Sequence, residues 1–222
     1  MQAAKSRLED YLATIYRLEE AFGVAKVTDI ASELGVSPAT VSKVVKRLEE
    51  RGFVAREKYY YVALTEAGRR VAEAIIRKHR IAEAFLASTL GFNDYESHHY
   101  AHLFEHLPGA IIERLYVFLG SPETCPHGNP LPGGPRAKAA NELLKLVNVA
   151  EGNECTVKRL VGELRELLEF TAKAELRVGS TIVVESRDTS AIKIRLVGGK
   201  QVAVPLKVAS LIVVECTPRA EA

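Results

Sequence analysis

The chain has 222 residues, of which 47% are hydrophobic and 26% are charged, and its formal net charge is +2. This composition is typical of a soluble globular protein with two or three small domains. No apolar run reaches the roughly 20 residues that span a bilayer, and the N-terminus has no signal-peptide pattern, so we expect a cytoplasmic protein. The three cysteines are far apart and form neither a paired framework nor a C-x-x-C site, which favours a reducing compartment and argues against zinc-thiolate chemistry. Because the net charge is small, a nucleic-acid surface must come from local clusters of basic residues.

The N-terminal segment has apolar residues at helical spacing, which predict an amphipathic helix over residues 5–21. The sequence VTDIASELGVSPATVSKVV then predicts two helices with a turn between them. We expect Thr28 to cap the first of them and Gly35 to form the left-handed turn. Ser37 is expected to cap the second helix, with Pro38 at its first position.

The next stretch, FVAREKYYYVALTEAG, alternates as in a two-stranded hairpin before Thr65 begins another helix. Residues 1–65 therefore predict a winged helix-turn-helix domain. Hydroxyl and basic side chains of such a domain can reach base edges and phosphates. The candidate DNA-binding residues are Thr28, Ser37, Pro38, Thr40, Ser42, Lys43, Lys46, Arg47, Arg56 and Lys58. The alternative is a packing module whose basic residues form a solvated face.

Residues 66–118 are predicted to be almost wholly helical, with breaks near LGFND and at Pro108. Their excess of apolar residues indicates a dimer interface as well as a core, and we assign residues 66–135 to a helical metal-binding and dimerisation domain. The stretch SPETCPHGNPLPGGPRAKA has no periodicity and indicates a linker, in which His127 is expected to be a turn residue. The linker between this domain and the next is placed at residues 136–148.

Residues 149–222 contain β-rich runs separated by glycines, a proline and polar turns, which predict a small five-stranded barrel. No catalytic nucleophile or phosphate-binding loop is present in this part of the sequence. The whole chain is therefore expected to belong to the α+β class and not to be an enzyme.

The stretch HHYAHLFEH at residues 98–106 holds four of the six histidines, and on a helix residues three and four apart share a face. Imidazole and carboxylate ligands suit divalent iron, manganese, cobalt, nickel or zinc. Two candidate sets are His79, Glu83 and His98, and Asp10, His102, Glu105 and His106. The alternative for each histidine is a hydrogen-bonded structural role, which we assign to His99.

Five motifs in order resemble the diphtheria toxin repressor family of metal-dependent repressors. They are EDYLATIYRLEE, SPATVSKVVKRLEERGFV, RKHRIAEAFL, FEHLPGAIIERL and CPHGNPLPG, within residues 6–134. The tail from about residue 150 is similar to the SH3-like domain of the iron-responsive branch. The resemblance implies that the second set above is the primary, activating site and the first is the ancillary site. It also implies that the SH3-like domain contributes ligands, for which Glu163 and Glu166 are the nearest candidates.

Two primary-site positions are intermediate between the branches of that family. Iron-responsive members of the family have Met at the position of Asp10 and Cys at the position of His102. Manganese-responsive members have Asp and Glu at these two positions. Ala13 occupies the position of a further carboxylate of the manganese type, which argues against a binuclear manganese site.

The resemblance implies a transcriptional repressor that binds pseudo-palindromic operator DNA as a homodimer and controls metal-homeostasis genes. Fe²⁺ is the expected cofactor, Mn²⁺ the alternative, and Co²⁺, Ni²⁺ or Zn²⁺ are expected to substitute in vitro. Neither a membrane nor a small organic substrate is expected as a partner. Competing hypotheses are a winged-helix regulator that senses a non-metal ligand and a metal hydrolase, although the sequence lacks H-E-x-x-H.

Overall fold

The computed structural model describes residues 8–57, 61–134 and 143–217. Helices and antiparallel sheets occupy separate parts of the chain, as expected for the α+β class. The N-terminal part contains α1 (Leu8–Phe22), β1 (Ala25–Lys26), α2 (Val27–Leu34), α3 (Pro38–Glu50), β2 (Val54–Glu57) and β3 (Tyr61–Leu64). The middle part contains α4 (Glu66–Leu90), α5 (Asp94–Ala101) and α6 (Gly109–Phe118). The C-terminal part contains β4 (Leu143–Lys145), β5 (Glu154–Leu160), α7 (Arg165–Ala174), β6 (Thr181–Arg187), β7 (Ala191–Leu196), β8 (Gln201–Pro205), α8 (Leu206–Ala209) and β9 (Ile212–Thr217).

Local signals fix the helix-turn-helix. Gly35 ends α2 with a φ of 64°, and the Ser37 hydroxyl accepts a hydrogen bond of 3.1 Å from the Thr40 amide at the start of α3. Strands β1, β3 and β2 form the wing sheet in that order. The expected Thr28 cap is wrong, because α2 begins at Val27 and Thr28 lies inside its first turn.

The middle part is helical, but HHYAHLFEH is not one helix. Helix α5 ends at Ala101, and the chain then forms tight turns in which the Phe104 amide bonds to the Ala101 carbonyl and the Leu107 amide to the Phe104 carbonyl. Pro108 lacks an amide hydrogen and disfavours helical geometry in the residue before it, so α5 and α6 cannot form one continuous helix. Among the described residues, no helix combines the length and apolar character needed to cross a membrane.

The segment after α6 is ordered and packs on the C-terminal part, which contradicts the expected free linker. Thr124 pairs with Pro130, and the side chains of Cys125, His127 and Asn129 are buried. The Leu160 amide of β5 donates to the His127 carbonyl at 2.8 Å. Strand β4 also lies inside the range expected to be a linker, and it pairs with β9.

The C-terminal sheet has six strands in the order β4, β9, β5, β6, β7, β8, rather than the expected five, because β4 adds to the edge. Cys155 on β5 lies directly opposite Cys216 on β9, and the two form a disulfide. The expectation of unpaired cysteines is therefore wrong for this pair. Sheet pairing brings them together across 61 residues of sequence, a separation that no local pattern reveals.

The C-terminal part packs on α1 through the 3₁₀ turn Val161–Glu163. Gly162 in this turn has a φ of 76°, and a Cβ atom there would lie 2.7 Å from the Arg17 carbonyl oxygen. Only glycine allows so close an approach. The turn thereby places the neighbouring Glu163 side chain against the middle part of the molecule.

Candidate metal centre

The predicted ancillary residues converge. His79 and Glu83 are one helical turn apart on α4, and both face α5. The Nε2 atom of His79 lies 3.0 Å from Oε1 of Glu83, and Nδ1 of His98 lies 2.7 Å from the same oxygen. The two ring nitrogens are 3.0 Å apart. Three donor atoms from two helices thus surround one point in the interior.

Glu163 belongs to the same group, whereas Glu166 does not. Ligand atoms of His79, Glu83, His98 and Glu163 all lie within 4.8 Å of one another. Glu163 is buried and has a φ of 50°, a left-handed conformation that non-glycine residues rarely adopt. Glu166, one turn later on α7, forms an exposed ion pair with Lys207 instead.

The predicted primary set is only partly assembled. Ligand atoms of Asp10 on α1 and of Glu105 and His106 after α5 lie within 4.8 Å of one another. His102 turns toward the other group, because the chain has left the helix at this point. Its Nδ1 atom is 2.9 Å from Oε1 of Glu105, and its ring centroid is 4.7 Å from that of His79.

Glu105 connects the two groups. Its Oε1 atom lies 2.8 Å from Nδ1 of His79 as well as 2.9 Å from Nδ1 of His102. Burial alone would raise the pKa of Glu105, but these two contacts lower it well below its usual range. The ionised carboxylate therefore lies between the two candidate sites and touches both.

A third group of possible metal ligands, which the sequence patterns did not indicate, includes Cys125 and His127. Cys125 and His127 lie in the segment before the C-terminal part, and their ligand atoms are within 4.8 Å of Glu83 and Glu163. The Cys125 thiol donates to Oε1 of Glu163 at 3.1 Å, and Nδ1 of His127 lies 3.4 Å from Oε1 of Glu83. His127 is thus a buried member of the centre rather than a turn residue. The Cys-Pro-His spacing was the signal that could have identified it.

Three members of the centre have the protonation state that a divalent metal requires. Burial raises the pKa of Glu163, but Arg80, Arg17 and His127 together lower it to about 2. Burial likewise opposes ionisation of Glu83, whose pKa falls well below its usual range because of His127 and His79. Burial lowers the pKa of His98 to about 3, so its imidazole is neutral and one of its two ring nitrogens is unprotonated. Ionised carboxylates and a neutral imidazole are the forms that bind divalent metals.

Several buried polar atoms lack hydrogen bonds within the part of the chain that the structure describes. They include Oε2 of Glu83, Oε2 of Glu163 and Nε2 of His127. Buried polar atoms without partners are rare and costly in native proteins. A divalent cation held by these side chains would satisfy them, so the residues present fit a metal.

The candidate DNA surface is formed by exposed residues of α2, α3 and the wing. Val41, Val45 and Leu48 of α3 are buried, which turns its polar face outward. The predicted residues Thr28, Ser37, Pro38, Thr40, Ser42, Lys43, Lys46, Arg47 and Arg56 are exposed. Arg56 of the wing pairs with Glu49 at 3.2 Å. Lys58 lies outside the described residues.

Comparisons with known proteins match a different family domain to each of the three parts of the chain. Residues 5–62 match the family domain described as "Iron dependent repressor, N-terminal DNA binding domain", and residues 65–133 match "Iron dependent repressor, metal binding and dimerisation domain". Residues 144–216 match the FeoA domain. The iron-dependent repressor IdeR of Mycobacterium leprae is 34% identical over 93% of this chain and 96% of its own. The chain belongs to the iron-dependent repressor family.

Three further similar proteins extend this result. The diphtheria toxin repressor of Corynebacterium diphtheriae is 33% identical over 81% of this chain and 84% of its own. The crystal structure of T. acidophilum IdeR superposes with a TM-score of 0.81 at 27% identity, and it covers 96% of this chain and 100% of its own. The manganese regulator SloR gives the same TM-score and coverage at 31% identity. The chain is a metal-dependent transcriptional repressor with the DNA-binding and dimerisation domains of its family.

Within this repressor, each candidate group draws on more than one domain. Asp10 comes from the DNA-binding domain and Glu163 from the FeoA domain, whereas the remaining members lie in the matched metal-binding and dimerisation domain. Candidate metal ligands and contacts between domains therefore coincide.

Proposed function

We propose that this repressor is activated by Fe²⁺ and then binds operator DNA as a homodimer. The observation that carries the proposal is the convergence of His79, Glu83 and His98 with Glu163 in the interior. Imidazole donors suit Fe²⁺ better than Mn²⁺, which favours sites dominated by carboxylates. The thiol of Cys125, next to Glu163, adds to this preference for iron.

The activating set is proposed to be Asp10, Glu105 and His106, with His102 next to it through its contact with Glu105. Asp10 lies on α1, and α1 packs on both α2 and α4. A divalent metal bound here supplies a positive charge shared by these ligands. Without the metal, Asp10 and Glu105 repel each other. The arrangement of the DNA-binding domain that fits an operator is then populated by only a fraction of the molecules, and the apparent DNA affinity is reduced by that fraction.

The ancillary set is proposed to be His79, Glu83, His98 and Glu163. Cys125 and His127 form a group with Glu83 and Glu163, which also belong to the ancillary set. We therefore treat Cys125 and His127 as alternative ligands for one ion rather than as a separate site. Glu163 supplies the FeoA-domain ligand in either arrangement, and Glu166 is not part of the proposal.

The dimer is proposed to form through apolar side chains that α6 and the turn before it leave in solvent. Leu103, Val117 and Phe118 are 71%, 70% and 68% exposed, and Ile111 is 46% exposed. Exposed apolar residues of this number on one domain are typical of an interaction surface. Two-fold symmetry of the dimer would match pseudo-palindromic operator DNA of metal-homeostasis genes.

The test is a mobility shift with DNA from the protein's own promoter region. Chelated protein is compared with protein given Fe²⁺ or Mn²⁺ under anaerobic conditions. We expect a shift only with metal, with Fe²⁺ acting at the lower concentration. Replacing His106 by Ala should remove the metal response, whereas the exposed His99→Ala variant should keep it.

Two outcomes would contradict parts of the proposal. DNA binding that is independent of metal would exclude metal activation. A response at lower Mn²⁺ than Fe²⁺ would assign the activating role to manganese, which the two carboxylates of the Asp10 group would then explain.

A further inference from the structure

Arg17 joins all three domains through two carboxylates. It lies on α1, and its side chain is only 8% exposed. Its Nε atom is 3.5 Å from Oε2 of Glu163, and its Nη2 atom is 3.8 Å from Oε1 of Glu105. Both carboxylates belong to the proposed metal ligands. A fixed positive charge thus lies beside the groups that are proposed to hold a divalent cation.

The contacts of Arg17 are electrostatic rather than hydrogen bonded. Neither Nε nor Nη2 has a hydrogen-bond partner among the described residues, and the same holds for Oε2 of Glu163. Charge attraction therefore holds these two nitrogens in place, while their burial carries a desolvation cost that no hydrogen bond offsets. Such a group can be moved at a smaller cost than one that is fully bonded.

Arg80 shows the contrasting arrangement in the same interior. Its guanidinium donates to Glu163 at 3.0 Å, to Glu20 at 2.6 Å and to the Pro130 carbonyl at 2.7 Å. Three charge-assisted or carbonyl bonds fix Arg80 as a structural residue. The two arginines share Glu163 but differ in how firmly they are held.

Arg17 has space into which it can withdraw. It lines a cavity of about 410 Å³ between α1, α2, α5 and α7, and Glu33 of α2 lines the same cavity. Burial raises the pKa of Glu33, and the charge of Arg17 is among those that partly offset this rise, so the two side chains interact electrostatically. Glu33 therefore offers an acidic partner away from Glu105 and Glu163.

We propose that Arg17 is a displaceable internal counter-ion, which neutralises Glu105 and Glu163 in the metal-free protein and competes with the divalent metal for both. This inference rests on the proposed function, because it assumes that these carboxylates bind metal. Two cations that share a carboxylate in an interior of low dielectric repel each other. Arg17 therefore weakens metal binding and raises the metal concentration at which the repressor becomes active.

The test measures metal affinity directly, without DNA. Mn²⁺, and anaerobically Fe²⁺, are titrated against a chromophoric chelator in the presence of full-length protein. We expect Arg17→Met to bind metal about tenfold more tightly than the wild type, within the range typical of coupling between neighbouring sites. Arg17→Lys retains the charge and should remain within roughly threefold of the wild type. Arg69→Met is the matched control, since Arg69 of α4 forms a partly exposed ion pair with Glu19 of α1, the helix that carries Arg17.

Each outcome distinguishes this inference from the proposed function. Unchanged or weaker metal binding by Arg17→Met, with thermal unfolding still cooperative, would overturn the counter-ion role while leaving a metal-dependent repressor. If Arg17→Met does not fold, Arg17→Gln replaces it with the same expected tightening. Absence of metal binding by the wild type would overturn both proposals.

Discussion

The recognition helix and the metal centre are built in opposite ways. The polar face of α3 is exposed, and its position follows from neighbours in sequence such as the cap at Ser37 and the buried Val41 and Val45. The ancillary group of the metal centre lies in the interior, whereas Asp10 and His106 of the activating group are partly exposed, and together the two groups combine residues of three domains. One surface depends on local structure, whereas the other exists only when three domains are packed together. Substitutions in the two regions should therefore affect different measurements.

The largest expected effect is the difference between substitutions of two adjacent histidines, His98 and His99. His98→Ala removes a donor 2.7 Å from Glu83, whereas His99 is exposed and belongs to no donor group among the described residues. Loss of a direct ligand should weaken metal binding by more than the roughly 10–100-fold cost of losing an outer-shell partner. We expect His98→Ala to lose metal binding at the ancillary set in a chelator titration and to need more metal for DNA binding in a mobility shift, and His99→Ala to match the wild type in both. Equal behaviour of both variants would refute the ligand role of His98.

The disulfide provides a second test of the contrast between the two regions. It lies in the domain that contributes Glu163 to the metal centre and is far from α3 in sequence. Cys155 and Cys216 are separated by 61 residues, and closing such a loop restricts the unfolded chain. Cys216→Ser should lower the free energy of unfolding of the C-terminal part by about 3 kcal/mol. Chemical denaturation followed by circular dichroism measures this loss.

Reductant supplies the control for that experiment. The wild type in reductant should show the stability of Cys216→Ser, and the variant itself should not respond to reductant. A wild type with the same stability in oxidising and reducing buffer would show that the disulfide does not stabilise the domain.

The same contrast explains which features could be predicted from sequence. The caps at Ser37 and Thr65, the turn at Gly35 and the wing hairpin follow from residue types at fixed spacing, and the structure has them. The pairing of His79 with Glu83 was also predictable, because one helical turn separates them.

Features that depend on long-range packing were harder to predict. The choice between Glu163 and Glu166 depends on a glycine turn against α1, and the burial of His127 depends on strand β5. The end of α5 before His102 redirected one predicted ligand, although Pro108 had already indicated a break nearby. Residues that meet only through domain packing leave no periodic signal in the sequence.

A smaller effect is expected on the DNA surface. Lys43 is an exposed residue of α3. If it contacts a phosphate, Lys43→Ala should lower affinity roughly fivefold and reduce the slope of log affinity against log salt by about 0.9. Metal affinity should stay unchanged. Lys173→Ala, an exposed substitution on α7 of the FeoA domain, is the control and should leave DNA affinity unchanged.

The smallest expected effect is on the α3 cap. Ser37→Ala removes the hydroxyl that accepts from the Thr40 amide, and loss of an N-cap costs about 1 kcal/mol. The loss should appear in thermal unfolding and in DNA affinity, because the first turn of α3 carries candidate DNA contacts. Metal affinity measured by chelator competition should not change, since the cap touches no residue of the centre among those described. A weaker metal site in this variant would show that the two regions are coupled more closely than their separate construction implies.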